Sequence, residues 1–503
     1  MALAVLLAAA TAAAAAAPAL LLQRTRPLQG THLDHMKELV QVDKERLSGN
    51  RGAFDFALQG MPGFPKPTFV TIVSKLIICR LYYARVKLGN PPKEYYVQFD
   101  TGSDIMWISG NPCTGCPKSS ELKFPLELYN PNSSATSSRI SCSDHRCIGA
   151  LKTGYAICNS SHSPRNQCGY SFTYADGGAT SGYYVTDTIY LDTILGNEGG
   201  VNSSATVLFG CSNSRTGIAD GVIGFGKGAI SVISQLSAQR LSGKVFSHCL
   251  KRSEYGGGIL ILGEVVKPGF VSTPLVTTQP RYNVNMKSIT VNGKLLQINS
   301  SLFATSTAKG TVLDSGTTLT YLADGLYEPV ISAIHAAVSP SVRSFVHIGI
   351  RYFVTRALSL FPTVTLYFED GAAMKVGPES YLVRQGYYDN DDILCVGFQR
   401  SMEIEGYEQT TILGDLVLRD KIVVYNLDKM RVGWVDYDCS LLNTTTPFVA
   451  SGSMGYHAPT YYISLIVAGV AVIMIAASQL FIYSTVSKQN GVIPSAFCKA
   501  KKH

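Results

Sequence analysis

The chain has 503 residues and a formal net charge of +8; 46% of its residues are hydrophobic, 16% are charged, and 46 are glycine. That length accommodates two lobes with real cores, and low charge with abundant glycine suits a β-rich extracellular protein better than a helical cytosolic one. The positive charge is spread thinly, without a basic stripe interleaved with aromatics, so nucleic acid is not an expected partner.

Residues 1–19 are apolar and small, with Ala15, Ala16 and Ala17 suited to signal peptidase, and read as a signal peptide. Residues 20–79 read as a pro-segment. Met36, Leu39, Val40 and Leu47 are spaced among charges as in an amphipathic helix. Its basic residues would face an acidic cleft and let go when carboxylates protonate; a disordered linker is the rival reading.

Strand patterns begin near residue 80. YYARVKL, YYVQF, MWIS, YSFTYA, GYYVTDTIYL and TVLFG alternate β-branched or aromatic residues with polar ones. SVISQLSAQ and LYEPVISAIHAAV are short helical interruptions. A mostly β architecture follows, with a first lobe over 80–275 and a second over 276–440. Residues 441–460 read as a stalk. Residues 461–483 carry no charge over about 20 positions, enough for a transmembrane helix. Tyrosines flank both ends, and the tail 484–503 holds Lys488, Lys499, Lys501 and Lys502 without an acidic residue. The tail is expected in the cytosol and the body in the lumen or outside. A lipid-anchor signal is the rival. The closing KAKKH resembles a dilysine retrieval signal, with a plain basic tail as the simpler reading.

The 12 cysteines imply disulfides in an oxidising compartment. Asn132, Asn159, Asn202, Asn299 and Asn443 each open a glycosylation triplet.

An internal duplication carries the chemistry. VQFDTGSD in the first half and GTVLDSGTT in the second are each a strand running into Asp-Thr/Ser-Gly. Each is followed later by an apolar pair and a glycine: Val222-Ile223-Gly224 and Ile412-Leu413-Gly414. Asp100 and Asp314 are the candidate catalytic pair. Two carboxylates about 3 Å apart cannot both ionise, so one activates a water while the other keeps its proton for the substrate carbonyl. Gly102 and Gly316 allow backbone to approach the carboxylates. Ser103 and Thr317 are hydroxyl donors to orient them, and Thr101 and Ser315 can bond across a pseudo-twofold.

With YYARVKLGNPPKEYYVQFDTGSDIMWIS, YSFTYADG before TSGYYVTDTIY, GVIGFG, FSHCL, GTVLDSGTTLTYL, TILGDLVLRDKIVVY and VGWVDYDC, the chain resembles the pepsin-like aspartic peptidases, in the membrane-associated plant branch related to nepenthesin. The resemblance spans about residues 80 to 440. It implies a bilobal pepsin-like fold of two β-barrel-like lobes around a cleft, peptide hydrolysis at acid pH, and a polypeptide substrate. It also implies a flap whose tyrosine matches Tyr174, with Trp107 as its indole partner. No cofactor or metal and a monomeric state are expected. A rival is a relative of the same fold that binds or inhibits other proteins.

The chain departs from that pattern. Gly110 stands where a C-x-x-C-x-x-C run would begin, and Tyr352 where a cysteine would precede Phe353. Cys395, and a cysteine near Cys113 and Cys116, are therefore expected to lack disulfide partners. SKLIICRLYYARV adds an apolar run with Cys79, NSRTGIADGVIGFG is short before its glycine pair, and Ala175 replaces a flap glycine. Cys113-x-x-Cys116 lacks a second pair for zinc, and GVIGFG lacks the βαβ setting of a phosphate loop. His248 and His335 have no acidic or serine context suggesting a triad and read as satisfied structural histidines.

Overall fold

In the computed structural model, residues 18–24 and most of 82–441 are described; 117–125, 159–165, 174–178, 194–202, 217–220, 253–256, 307–308, 339, 341, 348–349, 389–390 and 402–407 lie outside the described residues. The expected amphipathic helix, Cys79, the flap Tyr174 and Ala175, Asn159, Asn202, Asn443, the stalk, the span 461–483 and the tail also lie outside them. Among the described residues, no helix is long and apolar enough to cross a membrane.

Alternation builds the first strands. In Tyr82–Leu88 the residues Tyr82, Ala84, Val86 and Leu88 are all buried, the period-two pattern of a strand with one face on a core. This strand pairs antiparallel with Lys93–Asp100. Lys93–Asp100 then lies parallel to Gly221–Gly224, with Asp100 opposite Gly224, and Trp107–Thr114 pairs antiparallel on that strand's other side. The second half repeats the arrangement. Gly310–Leu313 runs parallel to Thr410–Leu413, and Thr320–Leu322 meets Thr410–Leu413 antiparallel at Tyr321 and Ile412. The duplication read from two tripeptides is therefore a duplication of strand topology. Both helical interruptions are present, as Val232–Ala238 and Tyr327–Ala337.

The two halves expected from the sequence are joined by a shared sheet that the sequence does not announce. Among the described residues the strands form four sheets, and the largest, of 14 strands, draws on both halves. Lys421–Asn426 returns from the second half to pair with Val245–Leu250, and Arg431–Asp436 pairs with Val271–Pro274. Backbone hydrogen bonds of one continuous sheet thus bind the halves, and the disulfide Cys249–Cys439 closes the same junction. The strand Pro18–Arg24 lies between Gly258–Ile261 and Tyr82–Leu88 in this sheet, straddling the expected signal-peptide boundary. The sheet packs on a buried aromatic cluster. Tyr425 stacks on Phe246 at 4.7 Å and meets Tyr282 edge-on at 4.5 Å.

An insert near the first lobe is stapled by Cys142–Cys158 and Cys147–Cys168 around the helix His145–Lys152. Asp144 caps that helix. Hydrogen bonds from Arg146 hold its carboxyl down at about 2, so the cap stays ionised in acid.

Cys113 and Cys116 form a disulfide, which leaves no thiolate pair for zinc. The cysteine left over is not one of these two but Cys211, distant in sequence: it is a buried thiol, and a Cβ built on Gly110 would lie 2.5 Å from its sulfur. Cys395 is also a buried thiol, and Tyr352 stands directly opposite it across the ladder. Asn132 and Asn299 are exposed.

Of the two histidines, one departs from expectation. His335 is exposed, with Nε2 3.3 Å from the Ser344 hydroxyl, a satisfied surface histidine. His248 is buried against Phe99, yet neither ring nitrogen has a hydrogen-bond partner among the described residues. Burial pulls its imidazole from 6.5 down to about 3.

Two outcomes follow. Gly110→Cys should bond Cys211, lowering the thiol count after denaturation and raising the thermal midpoint; an unchanged thiol count would refute the geometry. For His248 the unfolded chain takes up the proton near 6.5 and the folded chain only near 3. Its contribution is therefore full above 6.5 and is lost as pH falls toward about 3, by about 1.4 kcal/mol per pH unit. Urea unfolding at several acid pH values should show a shallower loss for His248→Leu than for the wild type.

Candidate active site

Asp100 ends the strand Lys93–Asp100, and Asp314 follows directly on Gly310–Leu313. Each strand is held in parallel by a partner ending in the apolar pair and glycine noted above. Those glycines are required by close approach. A Cβ on Gly224 would lie 2.4 Å from the Asp104 carbonyl carbon, and one on Gly414 would lie 2.0 Å from the Leu319 oxygen. The follow-on glycine is thus part of the site's scaffold, packed on the loop that carries each aspartate.

The two loops mirror one another. Gly102 N donates to Asp100 Oδ1 at 2.7 Å, and Gly316 N to Asp314 Oδ1 at 2.9 Å. The Ser103 hydroxyl donates to Asp100 Oδ2 at 2.6 Å, and the Thr317 hydroxyl to Asp314 Oδ2. Across the pseudo-twofold, Thr101 N donates to the Ser315 hydroxyl at 3.1 Å, and Ser315 N donates to the Thr101 hydroxyl at 2.9 Å. Ser315 also donates to the Phe99 carbonyl at 3.4 Å. The carboxylates converge: a Cβ on Gly102 would lie 2.6 Å from Asp314 Oδ1 and 3.1 Å from Asp100 Oδ1. All eight expected residues of the pair and its support are brought together, and both aspartates are buried.

The donors around the pair are backbone N–H and hydroxyl groups, which hold carboxylates without a metal. The one cysteine cluster of metal-ligating spacing among the described residues is Cys142, Cys147 and Cys158, all consumed in disulfides.

Trp107 is buried beside Tyr170 and Phe172, in a cluster under the disulfide-stapled insert. Sequence reasoning passed over several neighbours. The Tyr282 hydroxyl donates to the Phe225 carbonyl at 2.7 Å. Tyr425 faces Thr101, and burial raises its phenol well above the ordinary range. Asp104 binds Gly228 N and the Tyr155 hydroxyl. The aspartate was visible in DTGSD; only contacts distant in sequence give it meaning.

Comparison with known proteins bears on the family and the fold. Residues 82–264 match the family described as "Xylanase inhibitor N-terminal" and residues 281–436 its "Xylanase inhibitor C-terminal" counterpart. Aspartic proteinase 36 of Arabidopsis thaliana is 37% identical over 72% of this chain and 74% of its own length. Aspartic proteinase nepenthesin-2 of Nepenthes gracilis is 28% identical over 71% of this chain and 78% of its own. Basic 7S globulin from soybean shares the fold, with a TM-score of 0.54 and 21% identity over 72% of this chain and 96% of that one.

The crossed hydrogen bonds give a direct test. Thr101→Val keeps the shape but strips the acceptor from the buried Ser315 N–H. Equilibrium unfolding should show a loss of about 1–3 kcal/mol, and no loss would mean that the link is idle.

With the duplicated strand topology, both aspartate loops and relatives matched along most of its length, the chain belongs to the family of pepsin-like aspartic endopeptidases.

Proposed function

We propose that Asp100 and Asp314 act as one catalytic unit that hydrolyses peptide bonds at acid pH. The pair shares a proton. The ionised member draws a proton from a water held between them, and that water attacks the scissile carbonyl. The protonated member hydrogen-bonds the carbonyl oxygen and stabilises its developing charge. The proton taken from the water then passes to the leaving amine. Because the carboxylates titrate together, the acid and alkaline limits belong to the pair and not to either residue. Activity falls when the second carboxyl ionises.

The observation that carries this reading is the matched set of donors on the two loops. One N–H and one hydroxyl reach each carboxyl, and two crossed bonds lock the loops together. The substrate class, a polypeptide, follows from the related proteinases.

We further propose a tethered enzyme of the secretory pathway. The uncharged run 461–483 and the basic tail support the tether. Four disulfides in the body support an oxidising compartment. Asn132 and Asn299 are exposed, as glycosylation requires.

A second reading has specific support in the matching family's description as xylanase inhibitor: a protein of this fold that binds rather than cuts. The purified protein decides between them. Asp100→Ala and Asp314→Ala should each reduce acid peptide cleavage by roughly 10³-fold or more, and pepstatin should abolish it. A folded wild type without turnover would establish the binding reading instead.

A further inference from the structure

Asp104 lies one residue beyond Ser103, and the pairing described above does not use it. Its Oδ1 accepts from Gly228 N at 2.7 Å, and its Oδ2 accepts from the Tyr155 hydroxyl at 2.7 Å. The turn over residues 225–228 wraps it. A Cβ on Gly226 would lie 2.2 Å from Oδ1, and one on Gly228 2.2 Å from Oδ2. Only glycines at both places leave room for a carboxyl there. The same turn holds the backbone of the Asp100 loop, with Phe225 N donating to the Asp100 carbonyl and Gly226 N to the Ser103 carbonyl, each at 2.8 Å.

Lys227 sits between those two glycines. Its ammonium leaves the loop and donates to the carbonyls of Gln279 at 2.8 Å and Val276 at 3.2 Å, where the chain enters the second half. Next to them Tyr282 donates to the Phe225 carbonyl. Tyr155 belongs to the disulfide-stapled insert and packs against Phe172, with ring centroids 6.0 Å apart. Asp104 therefore stands where three pieces meet: the Asp100 loop, the insert, and the turn that grips the second half. Burial pushes its carboxyl up, while Tyr155, Gly228, Arg281 and Lys227 favour the charged form.

We propose that Asp104 is a positioning residue for peptide hydrolysis, whose carboxyl, cradled by Gly226 and Gly228, fixes the Asp100–Ser103 loop to the turn through which Lys227 holds the second half. It touches neither substrate nor the reacting water. It sets where Asp100 stands relative to Asp314, a separation on which a shared proton depends. A carboxyl is needed because two donors from opposite directions, a backbone N–H and a phenol, must end on one side chain. The cost of failure is geometric: misplacement on the order of 1 Å costs about 10²-fold in rate.

The inference rests on the peptidase reading, and the test separates the two. Using the full chain, kcat, KM and the thermal midpoint are measured for the wild type, Asp104→Ala, Asp104→Asn, Tyr155→Phe, Lys227→Met and the Asp104→Ala/Lys227→Met double variant. Asp104→Ala should lower kcat by roughly 10- to 100-fold with KM little changed. Asp104→Asn, which can still accept from Gly228 but not also from Tyr155, should recover only part of that loss, leaving a deficit like that of Tyr155→Phe. The double variant should be no slower than Asp104→Ala, because both changes break one link. A reduced thermal midpoint with unchanged kcat makes Asp104 structural only and overturns the proposal. Multiplicative losses in the double variant do the same. If Asp104→Ala does not fold, Tyr155→Phe decides: a partial loss of kcat is expected, and wild-type kcat overturns the proposal. A folded but inactive wild type is a different result, and sinks the peptidase reading itself.

Discussion

Two crossed hydrogen bonds, Thr101 N to the Ser315 hydroxyl and Ser315 N to the Thr101 hydroxyl, tie together loops that are far apart in sequence. They are buried, so breaking either strands a backbone donor away from water. A pair of carboxylates brought face to face repels as soon as both ionise. Something must oppose that repulsion without spending the lone pairs that the chemistry needs. Here the residue after each aspartate does so, leaving the inner carboxylate oxygens directed at a common point.

The rest of the fold supports that link from behind. Each aspartate strand lies beside a short strand ending in glycine, and that glycine lets the following backbone pack on the aspartate loop. Beneath the first loop lie Phe99, Phe225, Phe246, Tyr282 and Tyr425, which join the halves through ring contacts. The shared sheet adds backbone hydrogen bonds across the same boundary. Lobes joined only by a linker would be free to drift. These halves are held by sheet, rings and the Cys249–Cys439 disulfide together, which suits a site that tolerates little displacement.

The same core explains how the chain manages without two expected disulfides. Cys211 faces Gly110 inside the first sheet, and Cys395 faces Tyr352 across a ladder. At the second place an aromatic fills the space: Tyr352 is buried and stacks on Phe345 at 5.1 Å. Packing there takes over part of what a covalent bridge would contribute. At Gly110 the Cys211 sulfur and the Ser212 carbonyl oxygen occupy the space a side chain would take, 2.5 and 2.8 Å from a built Cβ. Burial also pushes the Cys211 thiol up to about 11, which keeps it protonated and unreactive.

Much of this was legible in the sequence because it is local or repeated. The alternation in YYARVKL, the two Asp-Thr/Ser-Gly loops, their hydroxyl supports and the follow-on glycines each sit within a few residues of one another, and short-range sterics fix them. The doubling made the pair recognisable. What stayed hidden depends on contacts between distant segments. The 14-stranded sheet forms because strands near the C-terminal end of the second half pair with Val245–Leu250 and Val271–Pro274, and no periodicity announces a partner so far along the chain. The buried, unpartnered ring of His248 and the orphan role of Cys211 likewise become visible only when neighbours are in place. Asp104 stands in DTGSD, but its partners Gly228 and Tyr155 lie far along the chain. Local sequence identifies the residues available for the proposed chemistry. The tertiary structure decided how they are held, because position within tenths of an ångström is set by backbone and rings that meet only after the chain has folded.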